Sequence, residues 1–261
     1  VDGRGIKRLR EAGLRVLENV CKEEALDIMQ GFFNVCEFSR PYVTLKFGMS
    51  IDSRVAAISG ESKWITGDEA RRSVHLLRAK NDAILTGVGT LLHDDPRLDC
   101  RLPGLEQHSP SRILVDSKLR IPVTSHFALT AKNSPSYVFT TEKSETAKKD
   151  ILTDMGIKIF QVPCSADGHV LMPRCFELMA KEGITTVLVE AGGYLASSLT
   201  KSDLVDKLVI YRAPMIIGGD GIAAWHPLGV EQLCMSKTFA IKNIEQIGPD
   251  IIETYTRCTE A

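Results

Sequence analysis

The sequence carries no excess of charge of either sign. Its 32 lysines and arginines nearly balance 33 aspartates and glutamates, which leaves a net charge of −1. Proteins that bind nucleic acid or anionic membrane surfaces through bulk electrostatics have a clear basic excess. We therefore expect no nucleic-acid partner and no membrane partner, and local groups must hold any anionic ligand.

Long hydrophobic runs are also missing. No window has the roughly 18 uninterrupted apolar residues that a membrane-spanning helix needs. The seven cysteines are widely scattered and none are paired at metal-ligand spacing. This usage is typical of reduced thiols, so we expect a cytoplasmic protein.

Motifs for metal-dependent or nucleophilic catalysis are absent from the sequence as well. The six histidines form no H-x-E or H-E-x-x-H spacing, and there is no G-x-S-x-G elbow. The paired signature of zinc deaminases, H-x-E with P-C-x-x-C, is missing too. We therefore expect no metal site and no deaminase activity from this chain.

What the sequence does contain is an alternation of strand-like and helix-like segments. Residues 1–40 have helical apolar spacing, and the pattern changes at Pro41, so we place a domain boundary near residue 40. Beyond it we predict strands at Tyr42–Met49, Ala83–Thr86, Arg112–Asp116, Ser136–Thr140, Ile157–Val162 and Thr185–Glu190. Helices are predicted from a cap at Thr66 or Asp68 to Leu77, and at Glu142–Met155, Pro173–Glu182 and Ala191–Ser202. Such alternation predicts a mainly parallel sheet with helices on both faces.

The C-terminal part has a different pattern. Lys207–Ile217, Thr238–Ile247 and Ile251–Cys258 are strand-like with no helix between them, and Gly248-Pro249-Asp250 is a strong turn signal. We expect these strands to pair antiparallel. The predicted fold class is therefore α/β with a mixed, mostly parallel central sheet.

A glycine turn follows the predicted strand that ends in Glu190. The sequence Glu190-Ala191-Gly192-Gly193 leads into a predicted helix. Ligands of open α/β sheets bind beyond the carboxyl ends of the strands, and a helix start offers free N–H groups to a phosphate. The alternative is a tight left-handed turn in which any small residues would do.

A second glycine turn, Gly87-Val88-Gly89-Thr90, leads toward Asp94-Asp95-Pro96. Adjacent carboxylates in a loop at the rim of a site can bind a metal or share a proton. The alternative is that these residues form a solvent-exposed turn. A metal site is less favoured, because no His, Cys, Asp or Glu residues have the spacing of metal ligands.

Three further features allow both a functional and a structural interpretation. Trp64, in a polar loop, can stack on a planar ring or pack against a helix start. Lys46, inside an apolar strand, can bind an anion or act as an acid, or it can reach out to water from an edge strand. Arg78 and Arg101 suit a phosphate only if the fold turns them inward.

Taken in order, several stretches resemble one protein family. They are YVTLKFGMSIDSR, SGESKWITGDEARRSVHLLRA, AILTGVGTLLHDDPRL, RILVDS, VEAGG, LVIYRAPMIIGGDG and GPDI. They resemble the reductase domain of the bifunctional riboflavin-biosynthesis deaminase/reductase, from about Pro41 to Arg257. Residues 1–40 resemble the end of that family's deaminase domain.

The resemblance implies a dihydrofolate-reductase-like, three-layer fold. It implies NADPH-dependent reduction of the ribosyl group of 5-amino-6-(5-phosphoribosylamino)uracil, in which the opened sugar accepts a hydride at C1′ and becomes the ribitylamino product. It also implies a homodimer formed through the C-terminal strands. A deaminase domain is expected as a fused or separate partner.

The resemblance also implies roles for individual residues. The expected cofactor-binding residues are Gly48, Trp64, Thr90, Asp94, Ser117, Gly192, Gly193, Tyr194, Leu195, Ala196, Ser197 and Ser198. The expected substrate-binding residues are Ser62, Arg78, Leu98, Arg101 and Glu190. Lys46, Asp94 and Glu190 are expected to hold the opened sugar and manage its proton.

Two local features bear on these expectations. The usual Asp-Gly-Arg after the first strand is Asp52-Ser53-Arg54 here, and serine tolerates a positive φ less well than glycine. The acidic residue that an NAD enzyme places on the ribose 2′-hydroxyl after a G-x-G-x-x-G is also missing. We expect Ser117 and Lys118 to meet the 2′-phosphate of NADPH instead.

Two other functions fit the same residues. One is a reductase that acts on the non-deaminated 2,5-diamino-6-ribosylaminopyrimidinone phosphate, although the deaminase-like segment 1–40 argues against it. The other is a catalytically inactive binding domain. The presence of Lys46, Asp94, Asp95 and Glu190 argues against that.

Overall fold

The computed structural model describes residues 3–258. Its helices are α1 Arg4–Glu11, α2 Lys22–Phe38, α3 Asp68–Ala79, α4 Val88–Asp94, α5 His126–Leu129, α6 Thr146–Asp154, α7 Met172–Lys181 and α8 Gly193–Lys201. Its strands are β1 Tyr42–Ser50, β2 Arg54–Ala56, β3 Ala83–Gly87, β4 Ser111–Val115, β5 Ser136–Thr141, β6 Ile157–Val162, β7 Thr186–Val189, β8 Lys207–Ala213, β9 Ile222–Ala223, β10 Phe239–Ile247 and β11 Asp250–Arg257. Residues 1–2 of the first predicted domain and residues 259–261 of the second lie outside the described residues.

The large sheet has nine strands in the order β10-β11-β8-β1-β7-β3-β4-β5-β6. All pairs from β6 to β8 are parallel, whereas β11 pairs antiparallel with β8 and β10 antiparallel with β11. The predicted α/β class with a mostly parallel mixed sheet is therefore confirmed. The expected antiparallel pairing of the C-terminal strands is confirmed as well, and β8 also pairs parallel with β1 on its other side. The first of these strands ends at Ala213 rather than at Ile217, because Pro214 has no N–H for the ladder.

Apolar side chains on both faces of the sheet are buried, which makes the fold three-layered. On β3, Ile84 packs into one cluster with α4, α5 and α6, while Leu85 packs into another with α7 and α8. Ile113 and Leu114 of β4 divide in the same way. Helix α3 covers Val209 and Tyr211 of β8. Buried central strands of this kind produce the continuous apolar runs that the sequence shows.

Two local predictions were wrong. The segment after Gly87 is not an open turn, because Val88–Asp94 forms α4 directly at the end of β3. Neither Thr66 nor Asp68 caps α3 with its side chain. The buried carboxylate of Asp250 accepts the N–H of Gly67 at 2.7 Å instead, so a residue of the C-terminal turn caps this helix.

Helix α2 is attached to the amino end of the sheet. A Cβ on Gly31 would lie 2.7 Å from Cγ2 of Thr186, so only glycine permits this close approach. The Asn34 amide donates to the carbonyls of Arg40 and Pro41, and Arg40 forms a two-pronged ion pair with Asp206, with both N–O distances 2.7 Å. Among residues 3–258, no helix combines the length and the hydrophobicity needed to cross a bilayer.

The turn between β1 and β2 contains a serine in the left-handed conformation. Ser53 has a φ of 62° and donates its N–H to the carbonyl of Ser50 at 3.0 Å. Its carbonyl accepts the N–H of Ala224 at 3.2 Å. An L-residue in this conformation costs roughly 1–2 kcal/mol. The turn therefore stores backbone strain that glycine would remove.

We predict that Ser53→Gly stabilises the fold. Relief of the left-handed strain outweighs the greater freedom of glycine in the unfolded chain, and the free energy of unfolding should rise by about 0.5–1 kcal/mol. Chemical denaturation measures this. The matched control is Ser134→Gly, at a serine with a φ of −145°, where the free energy should fall. Destabilisation by both substitutions would contradict the prediction.

Candidate active site

Two adjoining cavities lie at the carboxyl ends of β1, β3 and β7. Their volumes are about 770 Å³ and about 670 Å³. Residues that line both of them are Lys46, Gly48, Val55, Ser62, Thr90, Asp94 and Glu190. The two cavities therefore form one cleft with a shared wall, in the place where open α/β sheets bind ligands.

Glu190 stands in this shared wall, one residue beyond β7. Its backbone N–H donates to the carbonyl of Leu85 at 3.0 Å, which fixes the residue beside β3. Its carboxylate accepts two hydrogen bonds from the Arg78 guanidinium, at 2.7 Å and 3.1 Å. The Lys46 ammonium lies 3.7 Å from the second carboxylate oxygen. Three elements of the fold, β7, α3 and β1, thus bring their charges together.

The charges around Glu190 determine its ionisation. Burial alone would raise the pKa of its carboxyl group, but Arg78 and Lys46 outweigh burial and lower the pKa to about 2. Opposite charges at this distance favour the ionised form. Glu190 is therefore a carboxylate at neutral pH, and it can accept hydrogen bonds but cannot donate a proton.

Arg78 lies inside the fold, as a phosphate-binding role requires, but most of its donors already have partners. Besides its two bonds to Glu190, it donates to the carbonyl of Asp99 at 2.9 Å. Burial opposes its charge, yet Glu190 and Asp99 raise the pKa of the guanidinium. In this structure Arg78 orients Glu190.

Lys46 reaches the cleft because of strand alternation. Its neighbours Leu45 and Phe47 are buried in the core, whereas its own side chain keeps 17% of its exposure. Its ammonium lies 5.8 Å from the centre of the Tyr211 ring. The amine is thus held between an aromatic ring and a carboxylate, at the boundary of the two cavities.

The larger cavity runs along the start of α8. Gly192, Gly193, Tyr194, Leu195 and Ser198 line it. Gly192 has a φ of −69°, so this is not a left-handed turn. Gly193 is tightly packed instead, since a Cβ would lie 3.0 Å from the carbonyl oxygen of Ala224 and leave little room for a larger residue. No side chain of the described residues caps α8, so its first N–H groups face the cavity.

Two residues of the same segment do not line this cavity. Ala196 is buried in the core. The Ser197 hydroxyl accepts the N–H of His226 at 2.8 Å, so it fastens the segment that packs over the helix start. Ser117 does not line the cavity either, because its hydroxyl accepts the N–H of Val170 at 3.1 Å.

The two adjacent aspartates at the end of α4 contact different parts of the protein. Asp94 lines both cavities and lies 3.0 Å from Nδ1 of His93. Asp95 has a φ of 39°, and its two carboxylate oxygens accept the N–H of His126 at 2.9 Å and 3.0 Å, at the start of α5. Asp95 lines the smaller cavity alone, so of these two aspartates only Asp94 stands in the wall shared with Glu190. Within residues 3–258, no three His, Cys, Asp or Glu side chains are grouped to hold a metal.

All five predicted substrate residues line the smaller cavity, Glu190 in its shared wall. Ser62, Arg78, Leu98 and Arg101 line it, together with Trp64 and His75. The Arg71 guanidinium lies 4.5 Å from the centre of the Trp64 ring, so the ring contacts the start of α3 as well as lining the cavity. Burial first, and then Arg78 and Arg101, lower the pKa of His75. This end of the cleft is rich in positive charge.

Several residues that line the two cavities were not predicted from the sequence. They are His75 in the smaller cavity, and His93, Arg120, His169 and His226 in the larger one. They come from separate loops and helices and share no spacing. No sequence signal marks them, because tertiary contacts alone bring these segments together.

Comparison with known proteins agrees with this geometry. The RibD C-terminal domain family matches residues 41–252. The riboflavin biosynthesis protein RibD of Bacillus amyloliquefaciens is 35% identical over 252 residues, which cover 96% of this chain and 67% of that protein. This chain thus spans about two thirds of the length of that relative.

Solved structures with the same fold include two bacterial proteins. One form of Acinetobacter baumannii RibD superposes with a TM-score of 0.86 at 28% identity, covering 99% of this chain and 70% of that one. A deaminase/5-amino-6-(5-phosphoribosylamino)uracil reductase from Thermotoga maritima gives 0.80 at 26% identity, covering 98% and 68%. The match over most of the chain, together with the cleft at the expected strand ends, establishes that this protein belongs to the RibD C-terminal domain family.

Proposed function

We propose that the protein reduces the ribosyl group of 5-amino-6-(5-phosphoribosylamino)uracil to the ribitylamino product with NADPH, in riboflavin biosynthesis. One observation carries the proposal. A cavity along a helix start and a cavity rich in arginine meet at a wall made of Lys46, Asp94 and Glu190. A hydride donor and a phosphorylated sugar can therefore occupy neighbouring sites and meet at that wall.

The larger cavity fits a dinucleotide. The uncapped start of α8 offers N–H groups and the positive end of the helix dipole to a pyrophosphate. Gly192 and Gly193 line this end of the cavity and place no side chain there. Gly48, Thr90 and Asp94 extend the lining toward the shared wall. The nicotinamide, when bound, supplies the hydride, and the protein supplies orientation and charge.

The smaller cavity fits the phosphorylated substrate. Arg101 is half exposed there, with its Nη1 3.3 Å from Asp99, so it remains available to a phosphate at the rim. Ser62 and Leu98 line the path from that rim to the shared wall. Glu190, already ionised and fixed by Arg78, can accept hydrogen bonds from the hydroxyl groups of an opened sugar.

The proton that completes the reduction comes from this wall. Hydride adds to C1′ of the imine-like form, the C1′–N double bond becomes single, and the nitrogen takes a proton. Glu190 cannot give it, because its pKa is about 2. The Lys46 side chain lies at the boundary of both cavities, 3.7 Å from the Glu190 carboxylate. We propose that Lys46 donates this proton and that Glu190 holds Lys46 in place as its ion-pair partner.

The surroundings of the site support the remaining parts of the proposal. Ile241 and Ile244 are exposed on the edge strand β10, which suits the pairing of two copies through C-terminal strands. Phe32 and Phe33 of α2 are exposed at the end of the molecule where a deaminase domain would attach. We propose a cytoplasmic homodimer that works with a fused or separate deaminase.

The first prediction from this proposal concerns substrate and cofactor. NADPH oxidation should depend on the deaminated pyrimidine phosphate, with kcat/KM at least about tenfold higher than for the non-deaminated compound. NADPH should exceed NADH by at least about tenfold. Steady-state assays of both substrates with both cofactors test this. Oxidation at background with each substrate would instead favour an inactive binding domain.

A second prediction concerns the buried ion pair. Glu190→Gln should lower kcat/KM at least about 100-fold, because the sugar loses its charged acceptor and Lys46 and Arg78 lose their partner. The matched control is Asp206→Asn, which breaks an equally buried two-pronged pair with Arg40 at the other end of β1. Both substitutions should reduce stability by about 3 kcal/mol or more, but Asp206→Asn should keep the activity of the folded fraction. Equal losses of activity would contradict the role of Glu190.

A third prediction concerns pH. The pKa of Glu190 is lowered from its ordinary value to about 2, so the group stays ionised at every higher pH at which the enzyme works. Protonation of Glu190 therefore adds no acid limb above about pH 5, and the acid limb of kcat should be the same in Glu190→Gln as in the wild type between about pH 5 and 7, at a lower level. An acid limb in the wild type that the substitution removes would show that Glu190 titrates in this range and would contradict the prediction.

A further inference from the structure

Three segments meet at the end of the larger cavity that lies away from Glu190. They are the turn 117–121 after β4, the loop 165–170 before α7 and the start of α8. The N–H of Val170 donates to the Ser117 hydroxyl at 3.1 Å, which joins the loop to the turn. The His169 ring lies 5.1 Å from the Tyr194 ring, which joins the loop to α8.

The turn after β4 is held by several backbone contacts. The buried Asp116 carboxylate accepts the N–H of Ile121 at 2.8 Å, and the Asp116 carbonyl accepts the N–H of Leu119 at 3.1 Å. The Ser117 carbonyl accepts the Thr141 hydroxyl at 2.8 Å. Arg120, between Leu119 and Ile121, is therefore carried on a fixed turn, and its side chain lines the cavity.

Charge is distributed unevenly along the larger cavity. Its acidic lining residues are Asp94 and Glu190, and both stand in the wall shared with the smaller cavity. The far end is lined by Arg120 and His169, with Tyr194 and His226 beside them. Among the described lining residues, no carboxylate stands at this end to bind a ribose 2′-hydroxyl, as NAD enzymes require.

We propose that Arg120 and His169 recognise the 2′-phosphate of NADPH and determine the preference for this cofactor. The inference rests on the proposed function, because it assumes that the dinucleotide runs from the shared wall along α8 to this end. The Tyr194 ring, 5.1 Å from His169 and 6.0 Å from His226, provides a flat aromatic surface for the adenine.

This inference changes the assignment that the sequence suggested for the 2′-phosphate. The Ser117 hydroxyl accepts the N–H of Val170, so its main role is to place His169 beside the turn. Lys118 is exposed and does not line the cavity. Arg120 presents a planar guanidinium to the same cavity as the start of α8, and such a group binds a phosphate through two parallel hydrogen bonds.

Binding of fragments to the full chain tests the inference without any reaction. Isothermal titration with adenosine 2′,5′-bisphosphate and with adenosine 5′-monophosphate isolates the effect of the 2′-phosphate. Arg120→Gln should weaken binding of the bisphosphate about tenfold or more and change binding of the monophosphate less than about twofold. His169→Gln should weaken the bisphosphate by a smaller factor, about threefold.

Two controls make the result decisive. Lys118→Gln removes the neighbouring cation of the same turn, and Arg72→Gln removes an exposed arginine of α3; both should leave the ratio of the two affinities unchanged. The inference would be overturned if Lys118→Gln lost the preference for the bisphosphate over the monophosphate while Arg120→Gln kept it. If the fragments discriminate through Arg120 but no pyrimidine phosphate is reduced, the proposed function fails while this inference stands.

Discussion

The buried ion pair between Glu190 and Arg78 is the interaction on which the rest of the cleft depends. It joins the end of β7 to α3, and Lys46 adds β1 to the same group of charges. A buried carboxylate is costly unless it is paired and hydrogen-bonded. The three side chains therefore keep one another in place, and the wall between the two cavities is a single electrostatic unit.

The C-terminal strands contribute to that unit although they lie outside the cleft. Asp250, at the start of β11, caps α3 through the N–H of Gly67, and the Tyr211 hydroxyl of β8 lies 3.0 Å from the Ser73 hydroxyl of the same helix. These contacts fix the helix that carries Arg78. The antiparallel edge of the sheet thus orients a residue of the site, because α3 packs across β8 and β11.

The fold could be predicted where its physical signal is local. Strand β1 was expected at Tyr42–Met49 and spans Tyr42–Ser50, since β-branched and aromatic residues that follow Pro41 favour a strand. Helix α4 was missed because Gly87 and Gly89 weaken helical propensity, and the packing of Val88 and Leu91 under the sheet overrides it. Helix α6 begins at Thr146 rather than Glu142, after a turn in which Ser144 bonds to Thr141.

By itself, the sequence determined the alternating α/β pattern and the order of its motifs, because hydrophobic periodicity and glycine turns are properties of short segments. Those motifs also singled out Lys46, Asp94 and Glu190 before any geometry was known. Only the tertiary structure decided that Arg78 binds Glu190, that Asp94 and not Asp95 stands between the two cavities, and that Arg120 lines the larger cavity. Ion pairs and cavity walls join residues far apart in the chain, and no local pattern records which of them will meet.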